Sequence, residues 1–320
     1  MKKNVINRVH VSGRIYDHKL ALKTVQNTES ANYGKEFING TIDIATDNDC
    51  LNVVQVHFTY VTEVTSKGNK NATFSALKNI IDTNKTILTV GKDDAMMVKI
   101  DTALALNDFY TNRNGAETLV SAKRCEGGFV TIVSSVEDDE NARCRFDEDM
   151  LINNVRHIEA DPEKNIDKDY IIVKGVVFDF RNAMLPVEFV VRSEGGMKYF
   201  ESLDVSPKNL VFTKVWGKIN STTIVTRQEE ESAFGEPLIK EFTKTVREWL
   251  ITGTSKPEAV YPIGDAEAGI TEEEIKKAMA DREIYLADVK KKQDDYQASK
   301  NAGSAASAAS APAAVGGFNF

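Results

Sequence analysis

Cysteine is scarce in this sequence. The three present, Cys50, Cys125 and Cys144, are widely spaced and form no C-x-x-C. An odd count is a poor disulfide framework, and a reduced, intracellular setting is expected. Histidine is scarcer still for the length: His10, His18, His57 and His157 show no ligand spacing. No phosphate-binding loop, G-x-S-x-G or H-E-x-x-H occurs. The sequence therefore predicts no enzyme, cofactor or metal. No apolar run of signal-peptide or membrane-span length follows the opening Met1-Lys2-Lys3, so a cytoplasmic protein with no membrane partner is expected.

A strong positive charge is also lacking. The net charge is −8, from 40 basic and 48 acidic residues, so the whole chain is not a basic nucleic-acid binder. The charge is uneven, however. Residues 1–134 carry 16 Lys and Arg against 14 Asp and Glu, residues 135–169 carry 5 against 12, and residues 170–320 carry 19 against 22. The acid is concentrated in the middle of the chain, which averaging hides.

What the sequence does have is a twice-written, glycine-interrupted strand. Val11-Ser12-Gly13-Arg14-Ile15-Tyr16-Asp17 and Val173-Lys174-Gly175-Val176-Val177-Phe178-Asp179 both read V-x-G-x-[IV]-[YF]-D. Val and Ile suit a pleated surface buried on one face. A glycine inside such a strand marks a bend, a bulge or a close backbone approach, as the corner of a small coiled barrel requires. The pattern predicts a mainly β protein of two barrels, at 1–134 and 170–256, joined by a solvated acidic connector at 135–169.

In the first segment strands are predicted at 7–17, 34–45, 52–61, 95–106 and, as the fifth, 117–123, with 129–133 closing the segment. A short helix at 74–82, capped by Thr73, precedes the fourth. Asn114-Gly115 is a strong hairpin turn. Five strands with a helix between the third and fourth is the order of the oligonucleotide-binding (OB) barrel. In the second segment strands are predicted at 170–180, 186–192, 197–203, 210–219, 222–227 and 239–252, and no helix is assigned. Thr271 and Glu274 match a capping box that opens a helix over 271–298, with Ile275, Met279, Ile284, Leu286 and Val289 as a partial apolar stripe. From 299 to 320 the composition is that of a flexible, disordered tail. It ends in Phe318 and Phe320, two aromatics that point to a partner groove.

Residues 5–134 resemble the bacterial type of single-stranded-DNA-binding protein. Asn7-Arg8-Val9-His10-Val11-Ser12-Gly13-Arg14-Ile15 is similar to that family's first strand and 52–64 to its third. Met97-Val98-Lys99-Ile100 with the hairpin from Phe109 to Gly115 is similar to its fourth strand and the long hairpin after it. A weaker copy covers 170–254. The tail resembles that family's protein-recruiting tip, without the acidic run before it. A tandem of this kind looks like what large bacterial viruses encode, which would place the protein in the cytoplasm of a host bacterium. The resemblance implies sequence-independent binding of single-stranded DNA in replication, recombination or repair. It also implies replication or recombination partners recruited through Phe318 and Phe320, and leaves room for a homo-oligomer.

Such binding stacks bases on rings and tracks phosphates with Lys and Arg. In the first barrel the candidates are Arg14, Tyr16, Lys23, Lys35, Phe37, Phe58, Tyr60, Phe109, Tyr110 and Arg113. In the second they are Phe178, Arg181, Arg192, Tyr199, Lys214, Trp216, Lys218 and Trp249. Phe58 and Tyr60 share parity with Val54 and Val56, so core and DNA contact both fit them. Phe109 and Tyr110 flank a polar hairpin, where an exposed ring needs a reason. Lys214, Trp216 and Lys218 fall at period two on one face, and a core face does not hold two unpartnered lysines. The connector's carboxylates lack the spacing and glycine of a calcium loop; they are read as a solvated linker, and competition of this acidic stretch with DNA for the basic groove is a separate hypothesis. Two other readings stay open: a virion structural or assembly protein using the barrels as protein-interaction modules, and a nuclease using the acidic connector.

Overall fold

The first strand sets the architecture, because one chain segment serves three neighbours. The computed structural model describes residues 5–309 except 114, 165, 231–233, 235–237, 266–267 and 269; side chains at 113, 164, 222–230, 238, 240–245 and 300–309 are also outside the description. Strand β1 (Asn7–His18) carries Val9, Val11 and Ile15 on its buried side. It is followed by β2 (Ala21–Thr24), β3 (Glu36–Ala45), β4 (Val53–Thr62), the helices α1 (Ala72–Thr83) and α2 (Ile87–Val90), β5 (Met97–Arg113) and β6 (Ala116–Val133). The pairings run β1–β3–β4–β6–β5 and back to β1. All are antiparallel except β4–β6. This is a closed five-stranded ring with α1 between its third and fourth strands, as the sequence predicts. Phe74, Leu77 and Ile80 of α1 fill one end of its interior. Asn71, not Thr73, caps the helix, accepting from Thr73 N–H at 3.1 Å.

The second ring begins earlier than the sequence suggests. Strand β7 (Cys144–Ile158) lies inside the stretch expected to be a solvated connector. It is followed by β8 (Tyr170–Phe178), β9 (Met184–Val191), α3 (Glu194–Glu201), β10 (Val211–Glu230) and β11 (Leu238–Thr254). The pairings β7–β8–β9–β11–β10–β7 close a ring of the same order, with β9–β11 as the parallel pair. Helix α3 occupies 194–201, where a strand was expected at 197–203. Ser193 caps it by accepting from Gly196 N–H at 3.3 Å, and it buries Phe200. The two strands expected at 210–219 and 222–227 are one continuous β10. A two-residue strand β12 (Tyr261–Pro262) edges the sheet before helix α4 (Glu272–Ala309).

The repeated glycine motif is not topologically repeated. Gly13 lies on the first strand of its ring and Gly175 on the second strand of the other. Gly175 sits in the β7–β8 ladder opposite Ile152, while Gly13 pairs with Val98 of β5 and abuts the β1–β3 ladder where that ladder starts at Arg14↔Ala45. A Cβ on Gly13 would collide with the Ala45 carbonyl oxygen and stand 2.9 Å from Ile44 Cγ2. A Cβ on Gly175 would collide with the Leu151 carbonyl oxygen and stand 2.8 Å from Met150 Cε. In each barrel a glycine thus presses on a backbone carbonyl where first and second strands meet, from the first strand in one barrel and from the second in the other.

The rings meet through β1 and β7, antiparallel from Asn7↔Glu148 to Val11↔Cys144. Each strand gives its N-terminal half to the other and its C-terminal half to its own second strand. The pairing scheme is that of an isologous dimer interface written in one chain. Val9 and Phe146 face each other at its centre, both fully buried, and the buried apolar side chains of the two rings form one cluster. In the second ring Phe146, Phe189 and Trp249 pack with centroids 5.0 to 6.1 Å apart.

A carboxyl group intrudes on this core. Glu148 is fully buried between Asn7 of β1 and Val215 of β10, and neither oxygen has a hydrogen-bond partner among the described residues. Burial, then the nearby Asp149 and Asp147, push its pKa well above the ordinary carboxyl value of 4.5. A raised folded pKa stabilises fully below the unfolded value, and that contribution is lost as pH rises toward the folded one. Glu148→Leu is therefore expected to stabilise by about 1–3 kcal/mol at pH 8 and by much less at pH 4.5. Denaturant titrations at both pH values check this; a gain independent of pH contradicts it.

Candidate nucleic-acid interface

Two places on the outer sheet surfaces combine exposed rings with cations. The first is on the second and third strands of the first barrel. Between Ile38↔Val61 and Gly40↔Phe58 the register slips, so β4 carries an extra residue. That bulge separates two side chains that strict alternation would place together. Phe58 points inward and is 2% exposed, while Tyr60 points outward and is 46% exposed. Phe58, expected among the DNA contacts, is therefore core. Tyr60 meets Phe37 with ring centroids 4.7 Å apart and planes tilted by 38°. Lys23 pairs across from Phe37, and exposed Lys35 donates to Asn32 Oδ1 at 3.0 Å. A cleft of about 740 Å³ opens beside the rings, lined by Asn32, Lys35, Tyr60, Thr62 and Val64 among others.

The second place is the outer face of β10. Lys214, Trp216 and Lys218 do share one side, as the spacing predicts. Trp216 is 38% exposed, lies flat against the Gly253 backbone and has Lys214 Nζ 5.9 Å from its ring centroid. Lys214 also pairs with Asp147 at 3.3 Å. Across the ladder Trp216 faces Asp147 and Lys218 faces Arg145. A cleft of about 360 Å³ beside the ring is lined by Asn141, Arg145, Asp147 and Lys218. Sequence reasoning missed Arg145 because it lay in the presumed linker. The signal was there: Cys144, Phe146, Met150 and Ile152 alternate with Arg145, Asp147 and Asp149.

Other expected contacts fall elsewhere. Arg14 is half-buried and donates to the Asp93 and Ala95 carbonyls at 3.2 and 3.4 Å. Half-buried Tyr16 sits at the β1 bulge opposite β3. Phe178 and Trp249 are core, and the Tyr199 hydroxyl donates to the Ser255 carbonyl at 3.2 Å. Arg192 is committed to Glu248 by bonds of 2.7 and 3.1 Å and lies over the Tyr170 ring at 4.7 Å. Its hydrogen bonds to the Glu248 carboxylate raise its pKa further. Arg181 stacks on its neighbour Phe180, which is 87% exposed. The side chain of Arg113 lies outside the described residues, as do Phe318 and Phe320.

The β5–β6 hairpin is covered rather than open. Helix α4 starts at the predicted capping box, with Glu274 N–H donating to Thr271 Oγ1 at 3.2 Å and Thr271 N–H to Glu274 Oε2 at 3.1 Å. It extends past 298 to Ala309, consistent with the helix preference of alanine. Its docked face is Ile275, Ala278, Arg282, Leu286, Val289 and Gln293; Met279 and Ile284, expected on the apolar stripe, are exposed. Arg282 pairs with Asp108 at 2.7 Å, with the two side chains 10% and 1% exposed. Gln293 bonds both the N–H and the carbonyl of Tyr110, at 2.9 and 2.5 Å, and Lys290 Nζ lies 5.2 Å from the Tyr110 ring centroid. Tyr110 therefore faces α4. Phe109 points the other way and is 37% exposed.

No group of three or more His, Cys, Asp or Glu side chains that could hold a metal occurs among the described residues. No helix among them is long and apolar enough to cross a membrane. Two rings of OB strand order, each with its helix before the fourth strand, define a tandem OB-like protein. The chain belongs to the YorF family, whose sequence pattern matches residues 6–292. Among solved structures, a crystal structure of a deletion mutant of the single-stranded DNA binding protein from Thermus aquaticus is similar over 79% of this chain and 95% of that one, at 8% identity and a TM-score of 0.42. A comparison with curated proteins finds no match.

Proposed function

We propose that the protein binds single-stranded DNA without sequence preference and holds it during replication, recombination or repair. The Phe37–Tyr60 ring pair carries this reading. It sits on the outer face of strands two and three, flanked by Lys23 and Lys35, and that face of an OB barrel is the one oligonucleotides use. Rings of this kind stack on any base, at about 1–3 kcal/mol each, while cations follow the backbone. Trp216 with Lys218 and Arg145 supplies a second platform of the same chemistry on the other barrel.

The test is a salt titration of binding to labelled single- and double-stranded oligonucleotides. Single strands are expected to bind more tightly, with a log–log slope of about 0.7 per phosphate contacted. Tyr60→Ala and Trp216→Ala are each expected to weaken binding by about tenfold or more with little loss of stability. Equal binding of single and double strands, or full binding by a variant carrying both Tyr60→Ala and Trp216→Ala, contradicts the proposal.

A further inference from the structure

The stretch between the barrels does not hang in solvent. Residues 134–143 form a strap across the outer face of β1 and β5. The Glu137 carboxylate accepts from Lys99 Nζ at 2.8 Å and from the Ser12 hydroxyl, and lies 3.4 Å from His10 Nε2. Ser12 is fully buried, and the His10 and Lys99 side chains are 18% and 35% exposed. His10 Nδ1 is held by Asp101 at 2.9 Å. The far end of the strap is pinned by buried Arg143. Its guanidinium donates to the carbonyls of Glu137 and Asp138 at 2.5 and 3.4 Å and to Asn48 Oδ1 at 2.8 Å. Burial opposes charge on Glu137, but the bonds from Lys99 and Ser12 prevail and hold its carboxyl down to about 2.

An ammonium and a hydroxyl converging on one anionic oxygen pair, with an imidazole 3.4 Å away, match donors that nucleic-acid-binding proteins give to backbone phosphates. The same outer surface continues toward the Trp216 cleft, since His10 pairs across from Arg145 and Arg145 from Lys218. The strap reaches that cleft as well: Lys218 Nζ donates to Asn141 Oδ1 at 3.4 Å, and Asp138, Asp139 and Glu140 are exposed on the way.

We propose that Ser12, His10 and Lys99 form a phosphate site, that Glu137 fills it as the chain's own substitute, and that a single strand arriving from Trp216 displaces the strap. This rests on the single-stranded-DNA reading and adds its regulation.

The experiment compares the full chain with Glu137→Ala and Glu137→Gln, each checked for wild-type circular dichroism. Two probes are used: inorganic phosphate, read on the backbone amides of Ser12 and Lys99 by NMR, and a labelled oligo-dT read across salt concentrations. In the variants phosphate is expected to shift those amides, while leaving the wild type unmoved. Oligo-dT is expected to bind about fivefold more tightly, with a slope steeper by about 0.7. If neither variant gains phosphate binding or oligonucleotide affinity, the site is overturned. Phosphate shifts in the variants with no oligonucleotide binding by any form would keep the site and remove the DNA reading. Should the Ala variant fail to fold, the Gln variant, similar in shape and uncharged, decides alone.

Discussion

Gly13→Ala is expected to destabilise the protein by about 3 kcal/mol, a large share of the stability of an ordinary domain. The new methyl group would meet the Ala45 carbonyl oxygen, which is fixed in the β1–β3 ladder, with Ile44 Cγ2 only 2.9 Å away on the other side. Neither neighbour is the free end of a flexible chain, so relief requires opening the ladder that closes the first barrel. Because the buried side chains of both barrels form one cluster, the loss should appear as a lower midpoint for a single transition. Gly195→Ala is the matched control. It lies in the first turn of α3 with open space around the added carbon, and should be neutral or stabilise by up to about 1 kcal/mol. Denaturant unfolding followed by tryptophan fluorescence measures both. A Gly13→Ala protein as stable as its control would show that the close approach does not exist.

Arg282→Ala should release α4 from the barrels without unfolding them. The change leaves Asp108 buried with only the Ser121 hydroxyl, 2.5 Å away, to satisfy it. Removing one member of a buried pair costs about 3–5 kcal/mol, more than the remaining helix contacts are expected to withstand. Beyond Ile275 and Ala278, which pack in a buried cluster at the start of the helix, those contacts are the half-buried Leu286 and Val289, the Gln293 bonds to Tyr110 and an ion pair between Lys290 and Glu117. Hydrogen exchange is the readout. The Tyr110 amide, which donates to Gln293, and the amides of α4 should lose protection together while those of β1 and β5 keep theirs. Retained protection along α4 would mean that the ion pair is not what holds it. Release would also uncover the Tyr110 ring, and comparing oligonucleotide affinity before and after release measures how much α4 masks.

The first barrel was readable because its strands are half-buried and alternate cleanly. Ile38, Ile42 and Ile44, or Val54, Val56 and Phe58, stand out at period two, and Asn114-Gly115 marks the hairpin. Tyr60 escaped that logic, since an extra residue in β4 reverses the faces and no local composition announces it. The second barrel was harder for a different reason. Its first strand carries Asp147, Glu148 and Asp149 in a row, and a run of acids reads as linker. In the fold Glu148 and Asp149 are both buried; burial pushes the Glu148 pKa well up, and Asp149 accepts from the backbone N–H of Ile6 at 2.9 Å. Helix α3 was hidden by Gly195-Gly196, which lower helix preference just inside the cap. The Lys214–Trp216–Lys218 face was legible from spacing alone. Its partners across the ladder were not, because pairing between distant strands leaves no trace in either one.

The shared β1–β7 ladder has a consequence for stoichiometry. Where two barrels come from separate chains, their contact obeys mass action and weakens as the protein is diluted. Here the two ring-and-cation platforms are covalently fixed at one to one, so dilution cannot separate them. Each half has also been free to diverge: Lys99 and Asp101 lie beside β1 where Lys214 and Trp216 lie beside β7. A duplicated contact that two identical chains would have to keep symmetric can, within one chain, hold an aromatic on one side and a carboxylate on the other.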